Sequence, residues 1–250
     1  MPGILYLIPN TLGQAQADQL DSLAYVIPPG VQEITAGIEY FIAENAKSTR
    51  AYLKLVAAKH PLTKPLQDIR IAELNVKTDA SSLSSLLVPI LAGQNAGLIS
   101  EAGLPAVADP GSNLVRLAHA CGIIIRPLVG PSSLLLAIMA SGLNGQSFAF
   151  NGYLPIDAKQ RAIRIVELEN LSRKERQTQL FIETPYRNGV VLEALATTCA
   201  ASTLICVATD LTLPWEVIKT QAAMKWKIDL ASGHAPDFHK KPTVFLFLAI

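Results

Sequence analysis

The chain is poor in charge and in chemistry-bearing motifs. Asp, Glu, Lys and Arg make up 16% of its 250 residues and the formal net charge is +1. That balance argues against a broad basic surface for duplex DNA, while leaving room for a local basic patch. Cysteine is scarce: Cys121, Cys199 and Cys206 form no C-x-x-C pair, and each lies in or beside an apolar run. They read as buried free thiols rather than a zinc site or disulfide frame, which fits a reducing cytoplasm. Met1 to Pro9 carries no basic stretch and is too short for a signal peptide. No uninterrupted apolar run reaches the roughly 18 residues of a membrane span. The Walker, nucleophile-elbow, zincin and dinucleotide fingerprints are all missing. The four histidines, His60, His119, His234 and His239, are scattered. What remains is a chain that is half hydrophobic, the opposite of a disordered composition.

Short apolar runs alternate with amphipathic ones. Ile4–Ile8, Tyr40–Ala43, Ile69–Leu74, Gly97–Ile99 and Ile123–Leu128 are of strand length. Ala15–Leu23, Ser48–Ala58 (with Ser48 as N-cap), Ser81–Leu91 and Asn113–Cys121 have helical patterning, and Gly122 closes the last. This alternation predicts an α/β layer with a mainly parallel sheet, and Ile123-Ile124-Ile125 reads as a strand covered on both faces. The pattern restarts after Pro127. Helices are expected at Pro131–Ser141, Ala158–Leu171 and Asn188–Thr197. Strands are expected at Phe148–Tyr153, Leu180–Ile182, Leu204–Ala208, Trp215–Thr220 and Val244–Leu248, with little room for a helix between the last two. The expectation is two α/β domains, 1–127 and 128–250, the second with a mixed sheet.

Four polar loops follow apolar strands. The densest is Leu98–Gly111, LISEAGLPAVADPG, which holds Glu101 and Asp109 among glycines and prolines. In open α/β sheets ligands sit at the carboxyl ends of strands, where glycine permits close approach. An ordinary turn with Asp109 capping the next helix explains the segment equally well. Gly130-Pro131-Ser132-Ser133 reads as a helix start whose N–H groups and hydroxyls can also face a ligand. Glu183–Arg187 and Leu211–Glu216 are the other two.

The ordered segments LYLIPNTLGQ, AENAKST, GLISEAGLPAVADPG, PLVGPSS, NGYLP, LFIETPYR, ATDLTLPWE and KPTVFLFL resemble the tetrapyrrole methylase superfamily, and within it the ribosomal RNA small-subunit methyltransferase I group. The resemblance spans Leu5 to Leu248. It implies a two-domain α/β homodimer that binds S-adenosylmethionine in a cleft between the domains. It further implies that Pro9 opens that cleft and that Ser100, Glu101, Ala102, Gly103 and Leu104 line the cofactor. Ser132, Ser133, Ile182, Glu183, Pro214, Pro242 and Thr243 would meet it from the second domain. The chain departs from the group at Asn45-Ala46-Lys47, where an acid-Thr-Arg triplet is usual, at the N-terminal loop NTLGQ, and in stopping at Ile250 without a helical tail.

Methyl transfer from a sulfonium needs alignment, and a ribose hydroxyl acceptor benefits from a general base. Glu101, Asp109 and Glu183 are the candidates, and Lys47 is a candidate phosphate contact. Three functions stay open: ribose methylation of RNA, methylation of a small molecule such as a tetrapyrrole, and a cofactor-binding interaction protein without catalysis. An RNA acceptor would call on clustered cations, either Lys159, Arg161 and Arg164 with Arg173, Lys174 and Arg176, or His239-Lys240-Lys241.

Overall fold

The computed structural model describes residues 1–13, 22–74 and 78–250, so the helix expected over Ala15–Leu23 falls largely outside the described residues. The chain divides into two compact units, Met1–Ser132 and Ser133–Ile250. Each is an α/β layer with five strands among the described residues, the first sheet parallel throughout and the second mixed.

In the first unit the strands are β1 (Ile4–Ile8), β2 (Tyr40–Ala43), β3 (Arg70–Glu73), β4 (Ala96–Ile99) and β5 (Ile124–Pro127), in the order β3-β2-β4-β1-β5. The helices are α1 (Ser22–Val26), α2 (Pro29–Ala36), α3 (Ala46–Ala57), α4 (Leu83–Leu91) and α5 (Ser112–Ala120). The alternation of β2 shows why both faces must be covered. Phe41 and Ala43 pack with Tyr52, Leu53 and Val56 of α3. Tyr40 and Ile42 pack on the opposite face with Leu87 and Ile90 of α4 and Leu114 and Ala118 of α5. Burying each large aliphatic or aromatic side chain contributes roughly 1.5–3 kcal/mol, so two apolar faces per strand hold the layer together. Gly97 in β4 lies so close to Ile8 and Phe41 that a Cβ there would overlap the Ile8 side chain.

β5 corrects one expectation. It is the edge strand, and Ile124 is 57% exposed, so only one side of the Ile123–Ile125 run is covered. Ser48 is not the cap of α3 either. Asn45 caps it, its Oδ1 accepting from the Lys47 amide at 2.9 Å and the Ser48 amide at 3.4 Å. Helix α2 was not visible as a periodic run.

In the second unit the strands are β6 (Phe148–Tyr153), β7 (Thr178–Ile182), β8 (Leu204–Thr209), β9 (Val217–Ala222) and β10 (Thr243–Leu248), in the order β6-β7-β10-β8-β9. Helices α6 (Ser133–Ser141), α7 (Ala158–Glu175), α8 (Asn188–Thr198) and α9 (Ala223–Ala231) accompany them. Ile165, Leu168, Val191, Leu195 and Trp226 form a core with Phe181, Ile205, Phe245 and Phe247. The Phe181 and Phe245 rings stack with centroids 5.9 Å apart, and the Trp226 indole donates to the Ile205 carbonyl at 2.9 Å. Helix α9 occupies the stretch where little room for one was expected. Cys199 and Cys206 are buried as expected, whereas Cys121, just past α5, is exposed.

Among the described residues no helix is long and apolar enough to cross a membrane.

Candidate functional site

Parallel strands bring the loops after β1, β2 and β4 to one end of the first sheet. Pro9 follows β1 there, and Gly130 lies so close to it that a Cβ would overlap the Pro9 ring. Asn10 then ties two loops together. Its Nδ2 donates to the Ser100 and Glu101 carbonyls, each at 3.0 Å, and its amide donates to the Gly103 carbonyl at 2.8 Å. The Gly103 amide returns a bond to the Thr11 carbonyl at 3.3 Å. Gly103 sits at φ +65°, and a Cβ would lie 3.1 Å from the Leu12 side chain, so both conformation and space call for glycine. Ala106 (φ +64°) and Ala108 (φ +63°) also adopt left-handed backbone. Non-glycine residues are held in that region only where the surroundings over-determine it, a state concentrated at binding and catalytic loops.

This loop carries an acidic cluster. Ser100 is buried while Glu101 is exposed. The Glu101 amide donates to Glu44 Oε2 at 3.1 Å. Burial, then the nearby Glu44 carboxylate, push the Asp109 carboxyl up to about 6, against a hydrogen bond from Ser100; Glu101 adds to the rise. Asp109 is therefore the carboxyl of the loop that titrates near neutrality. The amides of Ala102 and Leu104 donate to no protein acceptor among the described residues. Ala102 is exposed and Leu104 half-buried, so that stretch of backbone offers two free donors.

The second unit gathers its own set. β10 runs antiparallel to both β7 and β8, which puts its start beside their ends: Thr243 pairs with Thr209, and Val244 with Ile182. The Asp210 amide donates to the Pro242 carbonyl at 3.0 Å. Thr243 is buried and Pro242 exposed. Asn188, fully buried at the start of α8, holds the incoming segment by donating to the Phe238 and Lys241 carbonyls, each at 2.8 Å. Pro214 is exposed on the loop after β8, where Asp210 (φ +53°) and Thr212 (φ +73°) are again left-handed. Ile182, half-buried, ends β7. Glu183 follows it with its carboxylate already engaged. Oε1 accepts from the Thr184 amide at 2.7 Å and Oε2 faces Arg187 Nη1 at 3.1 Å. Ser132, buried, closes the first unit and Ser133 opens α6 in the second.

The comparisons bear on this arrangement. No family model matches the chain. A ribosomal RNA small subunit methyltransferase I of Xylella fastidiosa (strain Temecula1) is 30% identical over 217 residues, 87% of this chain and 71% of that protein. The chain belongs to the ribosomal RNA small subunit methyltransferase I family. The Escherichia coli O157:H7 member of the family is 29% identical over 86% of this chain and 68% of its own length. Among solved structures, the methyltransferase CobJ matches with a TM-score of 0.57 at 18% identity, covering 99% of this chain and 94% of its own. Diphthine synthase matches at 0.58 and 16%, covering 99% and 90%. At such identities these two establish the fold alone.

Methyltransferases of this family use S-adenosylmethionine, and this chain is such an enzyme. Its own residues fit that donor in one testable respect: a hydrogen-bonded, glycine-bearing loop with two amides that meet no acceptor among the described residues, and no side chain where Gly103 stands. Neither Asn10 nor Glu44 stands out in the sequence: Asn10 lies in the departing NTLGQ loop, and Glu44 lies 57 residues from the amide it holds. The Asn45-Ala46-Lys47 departure has a structural consequence, because the amide that replaces an acid still caps α3. Lys47 is exposed beside it.

Proposed function

We propose that this methyltransferase acts on a ribose hydroxyl of small-subunit ribosomal RNA, as a cytoplasmic homodimer. The observation that carries the acceptor is the 30% identity to a protein named for that RNA, over 87% of the chain. The tetrapyrrole alternative is supported only by likeness of fold to enzymes such as CobJ.

In this reading each unit carries residues that the family resemblance assigns to the cofactor. Pro9 and Ser100 to Leu104 serve from the first, with Ser132 at its end. Ser133, Ile182, Glu183, Pro214, Pro242 and Thr243 serve from the second. When bound, S-adenosylmethionine supplies a methyl group already activated on a sulfonium, so the protein's work is alignment and proton removal. The Ala102 and Leu104 amides would hold polar groups of the donor without needing side chains. Asn10 fixes the height of that backbone through its bonds to Ser100, Glu101 and Gly103. Asp109 takes the proton from the ribose hydroxyl, since a carboxyl tuned to about 6 is mostly ionised at neutral pH yet more basic than a free one. Glu183 positions its turn through Thr184 and Arg187. Lys47 stands near the loop end as a point charge for phosphate.

Titration calorimetry tests the cofactor site. Wild type should bind S-adenosylmethionine with measurable heat, and Gly103→Val should weaken binding by at least an order of magnitude. Absence of heat from the wild type at millimolar cofactor would sink the reading. Transfer of labelled methyl from S-adenosylmethionine to isolated small ribosomal subunits tests the acceptor.

A further inference from the structure

We propose that Tyr186, flanked by Lys240 and His239, is a stacking platform for an unpaired nucleotide of the RNA acceptor, an inference that rests on the RNA reading above. Tyr186 is 72% exposed and stands on a short, well-held turn. Several bonds fix that turn. The Arg187 amide donates to the Thr184 carbonyl at 2.9 Å, the Lys240 amide donates to the Pro185 carbonyl at 3.1 Å, and Arg187 pairs with Glu183. The ring is thus presented on rigid backbone, so little of it must be ordered when a base stacks against it.

Its neighbours supply charge and shape. Lys240 Nζ lies 5.8 Å from the ring centroid, and the His239 ring meets Tyr186 edge-on at 6.5 Å. Lys240 adopts φ +61°, and it has no carboxylate partner among the described residues, whereas its neighbour Lys241 faces Asp210 at 3.7 Å. The Asp237 carboxylate beside His239 accepts from the His239 amide at 3.0 Å. Buried Asn188 anchors the same segment at Phe238 and Lys241. An exposed ring beside an ammonium that no carboxylate among the described residues pairs with is a combination suited to single-stranded nucleic acid. The ring offers a π face to any base, and the cation meets the backbone phosphate. Placement also favours this occupant. Tyr186 lies just beyond Glu183 and Lys240 just before Pro242, so a stacked nucleotide would rest beside two of the loops assigned to the cofactor.

The test compares wild type with Tyr186→Ala, Tyr186→Trp and Lys240→Gln. Binding to a short single-stranded RNA of mixed sequence is read by fluorescence anisotropy, and methyl transfer is read on small ribosomal subunits. Tyr186→Ala should weaken RNA binding about tenfold or more and raise KM for the subunits, while S-adenosylmethionine binding and melting temperature stay unchanged. Tyr186→Trp should restore RNA binding, since indole offers a larger face. Lys240→Gln should reduce the slope of log Kd against log salt by about 0.7, the share of one phosphate contact on a single strand. RNA binding by Tyr186→Ala equal to wild type, in an enzyme that does methylate RNA, overturns the platform and leaves the function standing. If wild type methylates no RNA and Tyr186→Ala instead loses affinity for a planar tetrapyrrole, both proposals fall.

Discussion

Asp109 and Glu183 are both carboxylates placed just after apolar strands, and at the level of the residue the sequence does not separate them. The fold does. Glu183 spends one oxygen on Thr184 and faces Arg187 with the other. Asp109 is partly buried and has two acidic neighbours against one serine partner, so its charged form is disfavoured. Its folded value of about 6 exceeds the ordinary 3.8. Between those pH values the folded chain keeps a proton that the unfolded chain has released, so this group costs stability as pH rises through the window. Asp109→Asn removes that cost. The variant should therefore melt higher than wild type above pH 6, with the difference disappearing below about pH 4, as calorimetric scans across pH would record. It should also lose roughly 10²- to 10⁴-fold in kcat on small ribosomal subunits, and wild-type rate should climb to a plateau above about pH 6. A variant that is stabilised but fully active would show Asp109 to be strained yet not catalytic. The loop itself was legible from its glycines, prolines and acids. Glu44 was not, because its link to Glu101 is made by parallel strand pairing across 57 positions, which no local pattern encodes.

At the scale of elements, apolar spacing located most strands and helices to within a few residues, since burial alone dictates that spacing. It failed where another force decides. The Ile123–Ile125 run is as apolar as a central strand, yet β5 lies at the sheet edge. α9 escaped notice although it packs Trp226 into the core. Helix α7 is the most instructive case. Lys159, Arg161 and Arg164 read as one cationic face, yet Arg161 is buried and its Nη1 donates to the Pro155 and Ile156 carbonyls at 3.2 and 2.8 Å. A guanidinium used in this way braces the loop after β6 and is withdrawn from phosphate. Arg164 remains outside, paired with Glu167 at 3.1 Å. The two roles should separate on mutation. Arg161→Ala should lower unfolding free energy by about 2–3 kcal/mol in urea titration, because charged hydrogen bonds from a buried guanidinium to two part-buried carbonyls are lost. Lys159→Glu with Arg164→Glu should change stability by less than about 0.5 kcal/mol, as exposed substitutions do. Equal effects from both variants would mean that α7 does not distinguish its buried cation from its exposed ones.

For the whole molecule, the net charge of +1 must be reconciled with an anionic acceptor. Many cations already face acids: Lys64 with Glu39, Arg164 with Glu167, Arg173 with Glu169, Lys174 with Glu175, Arg187 with Glu183, Lys219 and Lys225 with Asp229, and Lys241 with Asp210. The exposed pairs are individually weak, of order 0–1 kcal/mol, so they can yield to phosphate, but each exchange returns part of the gain. Binding should then lean on cations that face no acid among the described residues, Lys47, Lys159 and Lys240 among them, and on stacking. A homodimer would present two such sets, and light scattering at tens of micromolar should give twice the chain mass; a value near 26.8 kDa would refute the dimer. Per site, about three phosphate contacts on a single strand correspond to a slope of log affinity against log salt of about −2. Anisotropy titrations of single-stranded RNA from low to physiological salt measure that slope directly. A slope steeper than about −5 would call for more phosphate contacts than these and would place the acceptor on residues other than those named.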